Sequence, residues 1–288
     1  MNKAKEIKIS DNPQNGNDFI ADVMCWAVDN LELLLSQPDE SVDLIYCDIL
    51  YGTGKNFGDY KDLKPIRSEI ESHYLPRLIE MKRVLKSTGS IFLQMDSRIN
   101  HWIRCLMDEV FGYENFKNEI VWLYGAGGFN KELFCNPKHD TIFAYSKTEK
   151  YTNNKLTDNV NGARLKSWWR IKSIADKSGY LKIDNEVSLY RTQKPIELIK
   201  QIILMASNKG DTVADYYLGS GTTAVACKEL NRKFIGCDIN PKAIEITNAR
   251  LDAIGAYLSN VNKHTIDSVK YLEEQIKDFS KESEVSND

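Results

Sequence analysis

The chain has 288 residues, 42% hydrophobic and 27% charged, with a formal net charge of −3, enough for one large domain or a domain with an inserted module. No apolar run approaches the roughly 20 residues a bilayer span requires, and the basic start MNKAKEIKIS lacks the apolar stretch of a secretory signal. The six cysteines are scattered without a CxxC pair, a pattern that suits reduced, packed thiols in a cytoplasm and neither a disulfide framework nor a zinc site.

Residues 1–18 are polar, interrupted by Asn-Pro-Gln-Asn-Gly-Asn, and read as a flexible lead-in. Val23–Val28 is a short apolar strand and Asn30–Ser36 a helix. Val42–Cys47 is a near-continuous apolar strand of the kind buried on both faces of a parallel sheet. Ile70–Leu85 carries apolar residues at helical spacing, and Lys86-Ser87-Thr88-Gly89 is expected to end that helix before a strand at Ser90–Gln94. Ile99–Phe111 is helical, with Gly112 as its stop. Glu119–Tyr124 and Thr141–Tyr145 are strands around a loop containing Gly125, Gly127 and Gly128. From about Ser146 to Arg191 no period holds. Pro195–Ser207 is then a helix, Thr212–Tyr216 a strand, a helix runs to Glu229, Lys233–Cys237 is a strand, and Pro241–Leu251 a helix. Repeated strand–helix alternation predicts a doubly wound α/β sheet.

Charge is unevenly placed. Tyr151–Lys194 holds nine Lys and Arg against four Asp and Glu, whereas Asp252–Asp288 holds four Lys against eight acids. This predicts a basic face in mid-chain and an acidic C-terminal helix and tail.

The sharpest local signal is Asp215-Tyr216-Tyr217-Leu218-Gly219-Ser220-Gly221-Thr222-Thr223, between a strand and a helix. Two glycines two apart let the backbone turn sharply and approach a ligand, and the helix behind them offers free N–H groups. Asp238 follows Asp215 by 23 residues at the end of the next strand, where a carboxylate can accept from ribose hydroxyls. The pair points to an adenosine-containing cofactor. The third glycine of GxGxxG is missing, and so is any GxxxxGK[ST] loop, which disfavours dehydrogenases and nucleotide hydrolases.

With these residues in hand, the chain from about 23 to 251 resembles the amino-directed DNA methyltransferases. Its DxYxGSGTT resembles their DPFxGSGTT, with Tyr217 in place of Phe, and Thr192-Gln193-Lys194-Pro195 resembles their TxKP. Asn248-Ala249-Arg250-Leu251, RVLKSTGSIFLQMD and GYENFKNEIVW are similar to their counterparts. The catalytic motif precedes the cofactor loop, the circularly permuted order of the beta class. The resemblance implies a Rossmann-like, mostly parallel sheet spanning residues 19–251, with a small target-recognition segment inserted at about 146–191 and the tail at 252–288. It implies S-adenosylmethionine as cofactor. Asp29 would contact the cofactor's adenine, Asp238 its ribose and Lys194 its carboxylate, and Asn30 would belong to the same cofactor site. Gly219, Ser220, Gly221 and Thr222 would cradle the methionine end, with Asp48, Leu50, Asp215 and Tyr217 completing the site.

Where the family has DPPY, this chain has Asp48-Ile49-Leu50-Tyr51. An exocyclic amine is a poor nucleophile because its lone pair is delocalised into the ring. Under the resemblance, Asp48 and the carbonyl of Ile49 accept its two hydrogens and aim the lone pair, while Tyr51 stacks on a flipped base. Proline would pre-set such a loop, and both prolines are gone. Gly52-Thr53-Gly54 would let the following loop move over the base. Lys166, Trp168, Trp169, Arg170 and Lys172 are the DNA-contacting candidates, with packing of the tryptophans as the alternative. The implied activity is site-specific methylation of double-stranded DNA, foremost at adenine N6, of the kind used in restriction-modification. A cytosine-N4 enzyme, an RNA methyltransferase and a weak or silent DNA-binding member stay open, and the resemblance leaves room for a homodimer but calls for no metal or membrane.

Overall fold

Five strands run parallel through the middle of the sheet seen in a computed structural model of the chain. The structure describes residues 22–56, 61–124, 131–157, 163–173 and 193–255, together with the backbone of 7–8, 181–183 and 186–188. Two units are distinguished, Met1–Thr247 and Asn248–Asp288. The division falls a few residues before the end expected for the catalytic domain. In the first unit residues 241–247 are helical, and in the second residues 248–255. The rest of the expected acidic tail lies outside the described residues, as do Thr192 and the glycines at 125, 127 and 128.

In chain order the elements are β1 (Ile7–Lys8), β2 (Val23–Ala27), α1 (Asn30–Ser36), β3 (Val42–Asp48), α2 (Arg67–Val84), β4 (Leu85–Met95) and α3 (Asn100–Phe111). There follow β5 (Phe116–Leu123), β6 (His139–Ser146), β7 (Trp168–Arg170), β8 (Leu181–Ile183), β9 (Glu186–Ser188), α4 (Ile196–Ala206), β10 (Thr212–Asp215), α5 (Thr222–Glu229) and β11 (Lys233–Asp238). The main sheet has the order β1-β2-β11-β10-β3-β4-β6-β5-β7. From β2 to β4 all neighbours are parallel; β6 enters antiparallel to both β4 and β5, and β7 returns parallel to β5. The expected doubly wound, mostly parallel sheet is present.

β3 shows why. Ile45 and Cys47 belong to the apolar cluster formed with α1, α2 and α3. Leu44 and Tyr46 alternate with them, are equally buried, and point to the opposite face, where α4 packs on β3. The helices follow the spacing of their apolar residues: α3 buries Ile103, Leu106, Met107 and Phe111, and α4 buries Leu198, Ile199, Ile202, Ile203 and Ala206.

Two expectations are corrected here. The Lys86–Gly89 turn is absorbed into β4, whose pairing with β3 jumps from Val42–Leu85 to Leu44–Ser90. The extra residues form an irregularity that only Gly89 permits, because a Cβ there would press on the Leu85 side chain and on the carbonyls of Asp43 and Lys86. The polar lead-in also contains structure, since Ile7 and Lys8 pair antiparallel with Cys25 and Met24.

Candidate active site

The sheet changes direction between β3 and β10: from β3 the chain builds outward through β4, and from β10 it builds the other way through β11. At such a switch point the loops leaving the carboxyl ends of the strands diverge and open a crevice. Asp48 ends β3, Asp215 ends β10, Asp238 ends β11, and Asp29 lies two residues beyond β2. All four line one cavity of about 580 Å³, together with Leu50, Tyr51, Lys194, Tyr217, Gly219, Ser220 and Thr222. That volume falls in the range of small-molecule sites.

The glycine loop is held by the two acids that bracket it. Asp215 accepts from the Tyr217 amide at 3.0 Å and the Thr223 hydroxyl at 2.6 Å, while Asp238 accepts from the amides of Gly219 and Asn240, each at 2.9 Å. Asp215 is 2% exposed, and burial pushes its carboxyl up to about 7 despite those donors. Asp215 thus shapes the loop and also lines the cavity, as expected of a residue completing the cofactor site. Gly221 caps α5 with φ +75°, between the cavity-lining Ser220 and Thr222, and a Cβ there would collide with the Thr247 side chain.

On the opposite wall Asp29 caps α1 through the Leu31 amide at 2.9 Å and pairs with Arg77 at 3.0 Å. Asn30 donates to the Tyr216 carbonyl at 3.0 Å and accepts from Arg77 at 2.5 Å, so its buried amide clamps the glycine loop to α1. The tyrosine that replaces the family's Phe uses its hydroxyl: Tyr217 lies 3.0 Å from Nε2 of His73, whose pKa burial lowers to about 4. His73 and Arg77 sit on α2 and were not singled out from the sequence. Nothing in a one-dimensional pattern pairs Arg77 with Asn30, 47 positions away, or His73 with Tyr217, 144 away.

The loop after Asp48 is held without proline. The Ile49 amide donates to the Gln94 carbonyl at 3.1 Å, a bond a proline could not make. Tyr74 donates to the Leu50 carbonyl at 2.9 Å. Asp62 accepts from the amides of Gly52 and Thr53 and from the Thr53 hydroxyl, at 3.1, 2.8 and 2.6 Å. The Gly52-Thr53-Gly54 segment, expected to move over a base, is thus tied down at its start. Lys194 brings a second change from expectation: its Nζ lies 2.5 Å from Oδ2 of Asp48 and 5.4 Å from the centre of the Tyr51 ring. It bridges to the catalytic loop as well as lining the cofactor cavity. Burial holds the Asp48 carboxyl above the usual carboxylate range, and Lys194 pulls the other way.

The mid-chain basic stretch reaches the same end of the sheet. β7 pairs Trp169 with Trp122 and Arg170 with Leu123, and those residues face Asp140 and His139 of β6. Its two tryptophans divide. Trp169 is 6% exposed and gives its indole N–H to the Lys166 carbonyl at 2.8 Å, so it packs β7 onto the sheet and is withdrawn from the expected DNA contacts. Trp168 is 46% exposed and lies between the cations of Lys166 and Arg170.

Strand order, switch-point cavity and glycine loop together define a Rossmann-like fold of the class I methyltransferase kind. A family model described as DNA methylase, for N6 and N4 methyltransferases, matches residues 42–249. The chain belongs to this DNA methylase family. The type II methyltransferase M.HpaI of Haemophilus parainfluenzae is 33% identical over 236 residues, covering 77% of this chain and 72% of the relative. The DNA adenine methyltransferase YhdJ of Escherichia coli K12 is 30% identical, covering 80% and 82%. Among solved structures, the cytosine-N4-specific PvuII DNA methyltransferase superposes with a TM-score of 0.63 at 19% identity, covering 79% of this chain and 86% of the other. The M1.HpyAVI–SAM complex gives 0.57 at 20% identity, covering 80% and 98%. No helix among the described residues is long and apolar enough to cross a membrane.

Proposed function

We propose that the chain transfers a methyl group from S-adenosylmethionine to N6 of adenine in double-stranded DNA. The observation that carries the reading is one cavity shared by Asp48 and Tyr51 on one side and Gly219, Ser220 and Thr222 with Asp238 on the other. The cofactor residues fit their expected ligand in character: a glycine turn leaves room beside the backbone, and carboxylates at the ends of β2 and β11 suit an adenosine. Bound there, S-adenosylmethionine supplies an electrophilic methyl group.

The protein's part is binding and alignment. Asp48 accepts from the target amine and stabilises positive charge as it grows on nitrogen, which a partly buried acceptor does more strongly than water can. The Ile49 carbonyl accepts the second hydrogen, its peptide unit held by the bond to Gln94. Tyr51 offers the stacking face. Exposed Trp168, Lys166, Arg170 and Lys172 supply phosphate and base contacts at the catalytic end of the sheet. Adenine is favoured over cytosine by the aspartate in first position and by the likeness to YhdJ, an adenine methyltransferase. A cytoplasmic location is supported by six cysteines that are all free.

The test is incubation with unmethylated duplex DNA and labelled S-adenosylmethionine, then digestion and mass spectrometry of the nucleosides. N6-methyladenine is expected, and N4-methylcytosine would redirect the reading to the other amine. No methylated base on any duplex, with the cofactor demonstrably bound, would leave a DNA-binding protein.

A further inference from the structure

Asp140, at the start of β6, is a buried acid bonded to the catalytic tyrosine that no motif accounts for. It is 4% exposed, and its Oδ2 lies 2.8 Å from the Tyr51 hydroxyl and 2.9 Å from Nε2 of Gln94, which donates to it. The same hydroxyl lies 2.7 Å from Oδ1 of Asp48. Gln94 is itself fixed, accepting from the Tyr46 hydroxyl at 2.8 Å, and Oδ2 of Asp48 takes the Lys194 ammonium.

A phenol carries one hydrogen. It can serve one carboxylate, so the second short oxygen–oxygen contact closes only if a carboxyl donates back. Without that proton, two oxygens would face each other through lone pairs in a site where an unmet polar contact is costly. Charge leads to the same count, since one cation, Lys194 on Asp48, stands against the two carboxylates of this chain of bonds and one further proton makes the group neutral. Two acids sharing a site commonly retain one proton between them.

We propose that Asp140 is a positioning residue for amino methylation: through the Tyr51 hydroxyl it fixes both the stacking ring and Oδ1 of Asp48, and a proton shared by Asp48, Tyr51 and Asp140 keeps the chain of bonds closed. The proposal rests on the methylation reading above. The other titratable groups around Asp140 are Tyr46 of β3, Asp96 just after β4 and Tyr124 just after β5, with Lys194 beyond Asp48. Burial raises the pKa of both tyrosines, which keeps them neutral near pH 7. It also raises that of Asp96, which is bonded to the Arg98 amide.

The experiment measures single-turnover methyl transfer at saturating cofactor and DNA from about pH 5.5 to 9.5 for wild type, Asp140→Asn, Asp140→Leu, Tyr51→Phe and the Tyr51→Phe/Asp140→Leu double variant. An asparagine here does not titrate, but because Oδ2 of Asp140 meets both the Tyr51 hydroxyl and the Gln94 N–H, its amide can donate to Tyr51 only if Gln94 turns its oxygen toward it. Asp140→Asn is expected to lose less rate at neutral pH than Asp140→Leu and to lack the alkaline decline expected of wild type as the shared proton is lost. Asp140→Leu is expected to lose on the order of 100-fold in rate with cofactor affinity unchanged, the scale of a misplaced reacting group. The double variant is expected to be no slower than the worse single variant, because both cut one chain of bonds. Asp140→Leu within threefold of wild type overturns the proposal, as do additive losses or an Asp140→Asn profile that keeps the wild-type alkaline limb. Should Asp140→Leu fail to fold, the Asp140→Asn profile alone decides. A wild type that methylates no DNA is a separate outcome: it removes the methylation reading, and this proposal with it.

Discussion

Lys194 and Asp48 form an ion pair across 146 positions of sequence, with Nζ 2.5 Å from Oδ2. This joins the residue expected at the cofactor's carboxylate to the residue expected at the target amine. In the structure the two half-sites are coupled through one bond.

The pair makes a pH prediction. Burial raises the pKa of Asp48 and Lys194 lowers it. Removing the cation therefore raises the pKa further, and Asp48 must be ionised to accept from the amine. Lys194→Met, assayed in single turnover at saturating cofactor, is expected to shift the acid limb of the rate profile to higher pH. An unmoved acid limb would show that the ion pair does not govern Asp48.

Restoring the family's first proline should not help. Ile49→Pro deletes the amide that donates to the Gln94 carbonyl at 3.1 Å. The loss is expected to cost about 1–3 kcal/mol and to lower the melting temperature with no gain in rate. A more stable or faster variant would mean that the loop lacked the rigidity ascribed here to its hydrogen bonds.

Asp215 ties stability to pH. Its carboxyl is pushed up to about 7 in the fold, against about 4 in an unfolded chain. The folded state holds the proton more tightly, so this contribution is fully present below about pH 4 and is lost as pH rises toward 7. Urea midpoints at pH 5 and pH 8 are expected to differ less in Asp215→Asn than in wild type. Equal pH sensitivity in the two proteins would rule Asp215 out as the source.

Gly221→Ala combines a positive φ with a collision against Thr247. A loss of about 1–3 kcal/mol is expected, read as a lower melting temperature together with weaker S-adenosylmethionine binding by calorimetry. Wild-type values for both would contradict the close packing of α5 against Thr247.

Replacing Lys166, Arg170 and Lys172 together by Ala should weaken duplex binding and flatten its dependence on salt, by about one unit of log–log slope for each phosphate no longer neutralised. Trp168→Ala should act on DNA affinity alone, whereas Trp169→Ala should lower the melting temperature, because only Trp169 is buried. Unchanged salt dependence in the triple variant would place the DNA path elsewhere.

Much of the fold was legible because its signals are local. Val42–Cys47 reads as a doubly buried strand from its own composition, and α4 from the spacing of Leu198, Ile199, Ile202 and Ile203. The Lys86–Gly89 irregularity was not, because a run rich in Lys, Ser and Gly looks the same whether it ends an element or bulges within one. The tryptophan pair shows the same limit. Adjacent side chains on a strand point to opposite faces, and only the partner strand decides which face is the core.

By itself, then, the sequence determined an adenosine-type cofactor site, through a glycine turn flanked by Asp215 and, 23 residues on, Asp238, and its resemblance in motif content and order implied the class of chemistry. These are relations along the chain, and short-range sterics and hydrogen bonding enforce them. Only the tertiary structure decided which groups touch across it. Asp140 and Gln94 reach Tyr51, His73 reaches Tyr217, and Lys194 reaches Asp48 because the sheet reverses at β3 and β10 and brings distant strand ends to one crevice. Buried polar groups must find partners wherever folding leaves them, and those partners are chosen in space.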